Sequence, residues 1–109
     1  MWNEPSRQEL AGIPGMYETE EVSVADKLIH MHFFLGGCDW YVAEFDGKDT
    51  FFGYAILNRD IEMAEWGHFS FRELKALKDR LGMEVDRDLH WRIRTAGEIA
   101  EIKTPRGDA

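Results

Sequence analysis

KLIHMHFFLGGCDWYVAEFDGKDTFFGYAIL, residues 27–57, decides the fold. Three runs rich in aromatic and branched residues are separated by Gly36-Gly37 and by Asp46-Gly47. Such residues suit a pleated, half-buried surface, and Asp-Gly between apolar runs is a hairpin signal. The stretch therefore predicts an antiparallel meander of Lys27–Leu35, Asp39–Asp46 and Thr50–Leu57. In the first run a period of two puts Ile29, Met31, Phe33 and Leu35 on one face and Leu28, His30, His32 and Phe34 on the other. In the second, Trp40, Val42 and Glu44 alternate with Tyr41, Ala43 and Phe45. One of these sets lies off the core if the sheet is covered on one side only. Phe33, Phe34, Trp40, Tyr41, Phe45, Phe51 and Phe52 give more aromatic surface than one sheet face hides.

Working outward, Asn58-Arg59-Asp60 reads as a turn and Glu65–Phe69 as a fourth strand. Ser70 and Glu73 have capping-box spacing. Phe71, Leu74, Leu77 and Leu81 follow at helical spacing, and Gly82 stands where a left-handed terminator belongs. This predicts a helix over 70–81. Thr95 and Glu98 repeat the capping box, which predicts a short helix to about Ile102. Asn3 is the expected cap of a brief helix in the lead, with Pro5 in its first turn. The expected architecture is α+β, an antiparallel sheet of about four to five strands with one amphipathic helix packed on it. Residues 1–12 would be an arm, 13–103 the single domain and 104–109 a loose tail.

The chain has 109 residues and a formal net charge of -8. Its length suits one domain with its own core. The charge is uneven: residues 1–60 carry 11 acids against 4 bases, and residues 61–109 carry 10 against 9. An acidic half repels a phosphate backbone and favours a basic protein partner. Cys38 is the single cysteine, so no internal disulfide forms. With no apolar membrane-length run and no secretory leader pattern, the expectation is a cytoplasmic protein without a membrane partner.

Several patterns in order carry a resemblance. They are Tyr17-Glu18-Thr19-Glu20, Asp26-Lys27, Trp40-Tyr41 with Glu44-Phe45-Asp46, and Phe52-Gly53. Gly67-His68-Phe69-Ser70 with Glu73-Leu74, and Asp86-Arg87-Asp88-Leu89-His90, complete the series. Over roughly residues 13–91 the chain resembles the small bacterial proteins catalogued as domain of unknown function 2958. The resemblance implies an accessory protein of plasmids, phages or integrated elements, near antirestriction or DNA-transfer functions. It carries no established activity over to these residues.

Four groups of residues compete as sites. His30 and His32, two apart on a strand, are candidate metal ligands with Cys38, Glu44 or His68. They lack a recognised ligand spacing, and two solvated histidines are the plainer reading. Asp86, Asp88 and His90 concentrate ionisable groups, with a carboxylate to orient His90. The plainer alternative is a turn whose acids pair with Arg87 and Arg92. Arg72, Lys75, Lys78 and Arg80 make the predicted helix basic, and with Trp91 they offer a nucleic-acid reading, against which the net charge argues. The favoured reading is a non-enzymatic, protein-binding face without cofactor. Glu20, Glu21, Asp46 and Asp49 supply charge, and Tyr17, Trp40 and Trp66 supply aromatic anchors. The expected partner is a basic, nucleic-acid-processing host defence complex that this face inhibits by occupying its groove. A homo-oligomer hiding the surplus aromatics is compatible with each reading.

Overall fold

The computed structural model describes residues 1–104. The tail expected at 104–109 lies, beyond Thr104, outside the described residues. In chain order the elements are α1 (Arg7–Ala11), β1 (Leu28–Ile29), β2 (Met31–Leu35), β3 (Cys38–Phe45), β4 (Thr50–Ile56), β5 (Glu65–Ser70), α2 (Phe71–Ala76), β6 (Asp86–Arg87) and β7 (Arg94–Thr95). Single 3-10 turns lie at Val24–Asp26, Ile61–Met63 and Ala96–Glu98. The main sheet runs β5-β4-β3-β2-β6, and each neighbouring pair is antiparallel. β1 and β7 form a separate two-stranded ladder. The α+β meander is thus the one read from residues 27–57. Gly47 closes the β3–β4 hairpin at φ 84°, a conformation that only glycine adopts without steric cost.

Two irregularities redistribute the side chains. The first predicted run breaks at His30, whose N–H donates to the Val42 carbonyl at 2.8 Å. Ile29 consequently joins the cluster of Tyr41, Ala43, Tyr54 and Ile56, while Met31 and Phe33 join that of Trp40, Val42 and Phe51. The second irregularity is a register shift between Val42 and Glu44 against β4. One extra residue on β3 reverses the alternation, so Phe45 packs with Trp40 and Val42 rather than with Tyr41. At this point β3 presses against Gly53. A Cβ there would lie 1.8 Å from the Tyr41 carbonyl oxygen.

Both faces of the sheet are covered, which accounts for the surplus aromatics. Leu10 and Ile13 from the N-terminal lead, with Phe71 and Leu74 from α2, bury the Trp40 face. Ala96, Ile99 and Ile102 bury the Tyr41 face. The lead is therefore integral to the domain and not a separate arm. Its helix is capped by Ser6, not Asn3, and Ser6 and Glu9 complete a capping box. Asn3 instead donates to the Asp86 carboxylate at 2.8 Å. The Arg87 guanidinium reaches Glu9 at 2.9 Å and 3.3 Å.

The helix expected over 70–81 starts as predicted, with Ser70 capping Glu73, but ends at Ala76. The Asp79 carboxylate accepts the N–H groups of Leu81 and Met83 at 2.8 Å and 2.9 Å. A bridge between Lys78 and Glu84 closes the same loop. Short side chains that satisfy nearby amides compete with the helical ladder, and here they prevail. Leu81, placed on the apolar stripe by spacing, is 87% exposed. Thr95 and Glu98 form their capping box on a 3-10 turn rather than on a longer helix. Among the described residues no helix is long and apolar enough to cross a membrane.

Candidate functional site

Residues 15–22 form a chain of turns between the lead and β1, closed by Glu18 N–H to Gly15 O, Glu20 N–H to Tyr17 O and Val22 N–H to Thr19 O. Tyr17 has φ 69° and its side chain is 66% exposed. An aromatic residue held in the left-handed region costs about 1–2 kcal/mol, and an exposed ring does not recover that by packing.

What holds Tyr17 is a buried polar assembly. Glu44, on β3 just past the register shift, is 3% exposed, and Lys27 is 6% exposed. The Glu44 carboxylate accepts the Tyr17 N–H at 2.9 Å, the Thr19 N–H at 3.1 Å and the Thr19 hydroxyl. Lys27 Nζ donates to Thr19 Oγ1 at 2.9 Å and to the Thr19 carbonyl, and lies 6.0 Å from the centroid of Phe52. Burial pushes the Glu44 pKa up. The Thr19 hydroxyl, the Tyr17 and Thr19 amides and the nearby Lys27 together outweigh it and hold the carboxyl below its ordinary value. Glu44 stays charged, and the loop is fixed by charge-assisted hydrogen bonds.

The predicted anchors and acids fare differently. Tyr17, Glu20 and Glu21 are exposed on this loop. Trp40 is 5% exposed and belongs to the core beside Phe33 and Val42, so it is not an interface anchor. The cause is the second cover on its face, supplied by the lead and α2. Trp66 is half-buried, stacked on Phe52 at 5.9 Å and edge-on to Tyr54 at 5.4 Å, so it is a flank of the second core rather than a projecting anchor.

Asp46 and Asp49 are occupied by local structure. Asp46 Oδ1 accepts the N–H groups of Lys48, Asp49 and Thr50, and these bonds lower its pKa. Asp49 accepts the Ser70 hydroxyl and the Arg72 N–H, tying the hairpin to the start of α2 and lowering its own pKa. Both line an open groove of about 1200 Å³ between the lead and α2. That groove contains Glu4, Glu18, Asp46 and Asp49, but also Arg7, Lys48, Arg72 and Lys75. It is electrostatically mixed, and the acids do not merge into one face. Glu20 and Glu21 are not among its lining residues.

The histidines do not converge on a metal. His30 is half-buried at the strand break, where burial lowers its pKa. His32 Nε2 lies 2.7 Å from Asp39 Oδ1, and its Nδ1 lies 3.8 Å from Asp88 Oδ2. Its ring stacks on Tyr41 with centroids 4.5 Å apart. Among the described residues no group of three or more His, Cys, Asp or Glu side chains is arranged to hold a metal ion. Asp88 caps the His90 N–H at 2.9 Å and turns its other oxygen towards His32. The Asp86–His90 run therefore lies against His32, whose carbonyl accepts the Asp88 N–H at 3.0 Å, while the buried His32 Nδ1 has no hydrogen-bond partner among the described residues. Arg87 pairs with Glu9 rather than with its neighbouring acids.

The basic groups do not form one stripe. Lys75 lies over Phe71 at 4.6 Å and faces Glu4 at 3.6 Å, while Lys78 and Arg80 lie beyond the end of α2. Trp91 donates to the Ile29 carbonyl at 2.9 Å and carries Arg94 at 4.0 Å above its ring. It is part of the cover over the second face, not a free stacking platform.

The chain belongs to the family described as protein of unknown function (DUF2958), whose model matches residues 13–102. No curated protein and no solved structure shows significant similarity to it. Sequence reasoning missed the roles of Glu44 and Lys27. The available signal was a single Glu within an aromatic strand, where a charge is buried only when it is paired or hydrogen-bonded.

Proposed function

We propose that this protein is a non-enzymatic binding protein that docks a basic surface of another protein through the loop bearing Tyr17, Glu20 and Glu21. The supporting observation is the strained, exposed Tyr17 held by a buried carboxylate. Strain maintained by dedicated hydrogen bonds collects at functional positions, and a rigid tyrosine amid acids has the composition of an interface anchor. The acids speed encounter with a basic partner, and the tyrosine supplies buried area once docked. In the finer form of this reading the partner is a nucleic-acid-processing defence complex in the cytoplasm of a host cell. The protein, an accessory product of a mobile element, occupies the groove that would hold nucleic acid. Asp46, Asp49, Trp40 and Trp66 are not part of the docking loop.

The test is affinity capture from host lysate treated with nuclease, using wild type, Tyr17→Gly and the double variant Glu20→Lys/Glu21→Lys. The reading expects a protein partner that survives nuclease, is released by salt and is lost by both variants. Recovery that depends on nucleic acid, or that ignores both variants, contradicts it.

A further inference from the structure

The His32 imidazole lies between two carboxylates and is bonded to only one of them. Nε2 is 2.7 Å from Asp39 Oδ1, within hydrogen-bond reach. Nδ1 is buried without a hydrogen-bond partner among the described residues, and Asp88 Oδ2 stands 3.8 Å from it. With its proton on Nε2, the neutral ring donates to Asp39 and turns the Nδ1 lone pair towards the Asp88 carboxylate. A buried acceptor without a donor is costly, and this one faces negative charge. A proton on Nδ1 removes both penalties. The N–H then faces the carboxylate, and closure from 3.8 Å to ~2.8 Å makes a charge-assisted hydrogen bond. The other groups around the ring hold it in place. Tyr41 on β3 stacks on it at 4.5 Å, with its own hydroxyl donating to Glu101 at 2.9 Å. Phe34 and Trp91 tilt against it at 5.5 Å and 5.4 Å. Of the nearby cations, Arg94 lies over the Trp91 ring at 4.0 Å and Arg87 is turned to Glu9.

We propose that His32 and Asp88 form a proton-operated clasp, which closes when Nδ1 takes a proton and draws the Asp88 carboxylate onto the ring. The backbone already holds the two parts in position. The Asp88 N–H donates to the His32 carbonyl at 3.0 Å, and Asp88 Oδ1 accepts the His90 N–H at 2.9 Å, which leaves Oδ2 towards the ring. β6, just before Asp88, pairs with β2 at Phe33↔Arg87 and Phe34↔Asp86. Asp86 and Arg87 in turn hold the lead through Asn3 and Glu9. Closure therefore tightens β6 and the lead together. The clasp is closed while His32 carries both protons and opens as pH rises through its titration. Glu44 works in the opposite sense, since its contribution is lost as pH falls. The clasp is separate from the Tyr17 loop and does not rest on the docking reading.

The test is a pH titration of the nitrogen-labelled full chain by NMR, for wild type, Asp88→Asn and His90→Gln, over the range in which circular dichroism shows the fold intact. Long-range proton–nitrogen spectra report which His32 nitrogens carry protons. Hydrogen-exchange protection factors, corrected for the intrinsic pH dependence of exchange, report closure at the Asp88 and Trp91 amides. In wild type both His32 nitrogens should become protonated within that range. Protection at the two amides should rise about tenfold with the same midpoint, the size set by one hydrogen bond to a charged group. Asp88→Asn, whose amide carries no charge, should flatten the rise. His90→Gln removes the neighbouring titration and should leave the rise intact. A His32 that keeps a single proton until the fold is lost overturns the proposal. So does a second proton that leaves both protection factors unchanged, and the wild-type titration decides these two outcomes without either variant. A rise that survives Asp88→Asn, or one that disappears with His90→Gln, overturns it as well by placing the cause elsewhere.

Discussion

The Glu44 carboxylate accepts the Tyr17 N–H at 2.9 Å across 27 residues of sequence, joining a buried charge on β3 to a strained tyrosine on the surface. The direction of this dependence matters. Glu44 is satisfied largely by the loop, and the loop holds its conformation largely through Glu44. Lys27 completes the assembly through Thr19.

Removing Glu44 should therefore destabilise the protein and loosen the loop together. Glu44→Ala leaves the Tyr17 and Thr19 donors unanswered beside a buried lysine. Hydrogen bonds to a charged group contribute about 1.5–3 kcal/mol, so a loss of roughly that size is expected in urea unfolding. Faster hydrogen exchange at Tyr17 and Thr19 should accompany it. Unchanged exchange at those two amides would show that the loop is held by something else.

The same carboxylate sets a pH dependence. Its folded pKa lies below the ordinary 4.5, so the unfolded chain binds the proton more readily. The stabilisation it provides is complete above the ordinary value and is lost as pH falls through the folded value. Wild type should lose stability more steeply than Glu44→Gln on the acid side of that window. Parallel acid limbs in the two proteins would remove Glu44 as a cause.

Gly53→Ala should be among the most damaging small substitutions. Its Cβ would lie 1.8 Å from the Tyr41 oxygen, a backbone atom of the central strand that cannot rotate away. Overpacking of this kind costs about 1–3 kcal/mol or more, and thermal denaturation measures it. A melting temperature equal to wild type would place the register shift of β3 in error.

Trp40→Ala should cost about 3–5 kcal/mol, as for other large core residues. Trp40→Phe, which keeps the core largely filled, should leave partner capture at the wild-type level. A selective loss of capture by the folded Trp40→Phe protein would return Trp40 to the interface.

The meander was legible because turn chemistry and a period of two agree over residues 27–57. The N-cap at Ser70 and the Thr95–Glu98 capping box were legible because they need only local spacing; the reach of Glu73 back to Ser70 does not form. What escaped the sequence depends on tertiary pairing. The break at His30 and the register shift at Val42 and Glu44 each reverse an alternation, and no residue type there announces it. The burial of Trp40 is not legible because its face is covered by α2 together with a lead whose first twelve residues carry little pattern. Leu77 and Leu81 keep helical spacing and so predict a longer helix than α2, while the competing bonds of Asp79 run within a turn. Tyr17 and the acids beside it were readable as a group, but their support from Glu44 and Lys27 was not, since it joins three separated segments.

The most direct test of the docking reading separates the tyrosine ring from the stability of the loop. Tyr17→Gly removes the ring and relieves the left-handed strain. Strain relief of about 1–2 kcal/mol is offset by the entropy of glycine, roughly 0.5–1 kcal/mol, so stability should match or slightly exceed wild type. Binding to the captured protein partner, titrated side by side with wild type, should fall at least tenfold. A Tyr17→Gly protein that is as stable as wild type and binds as tightly would contradict the account.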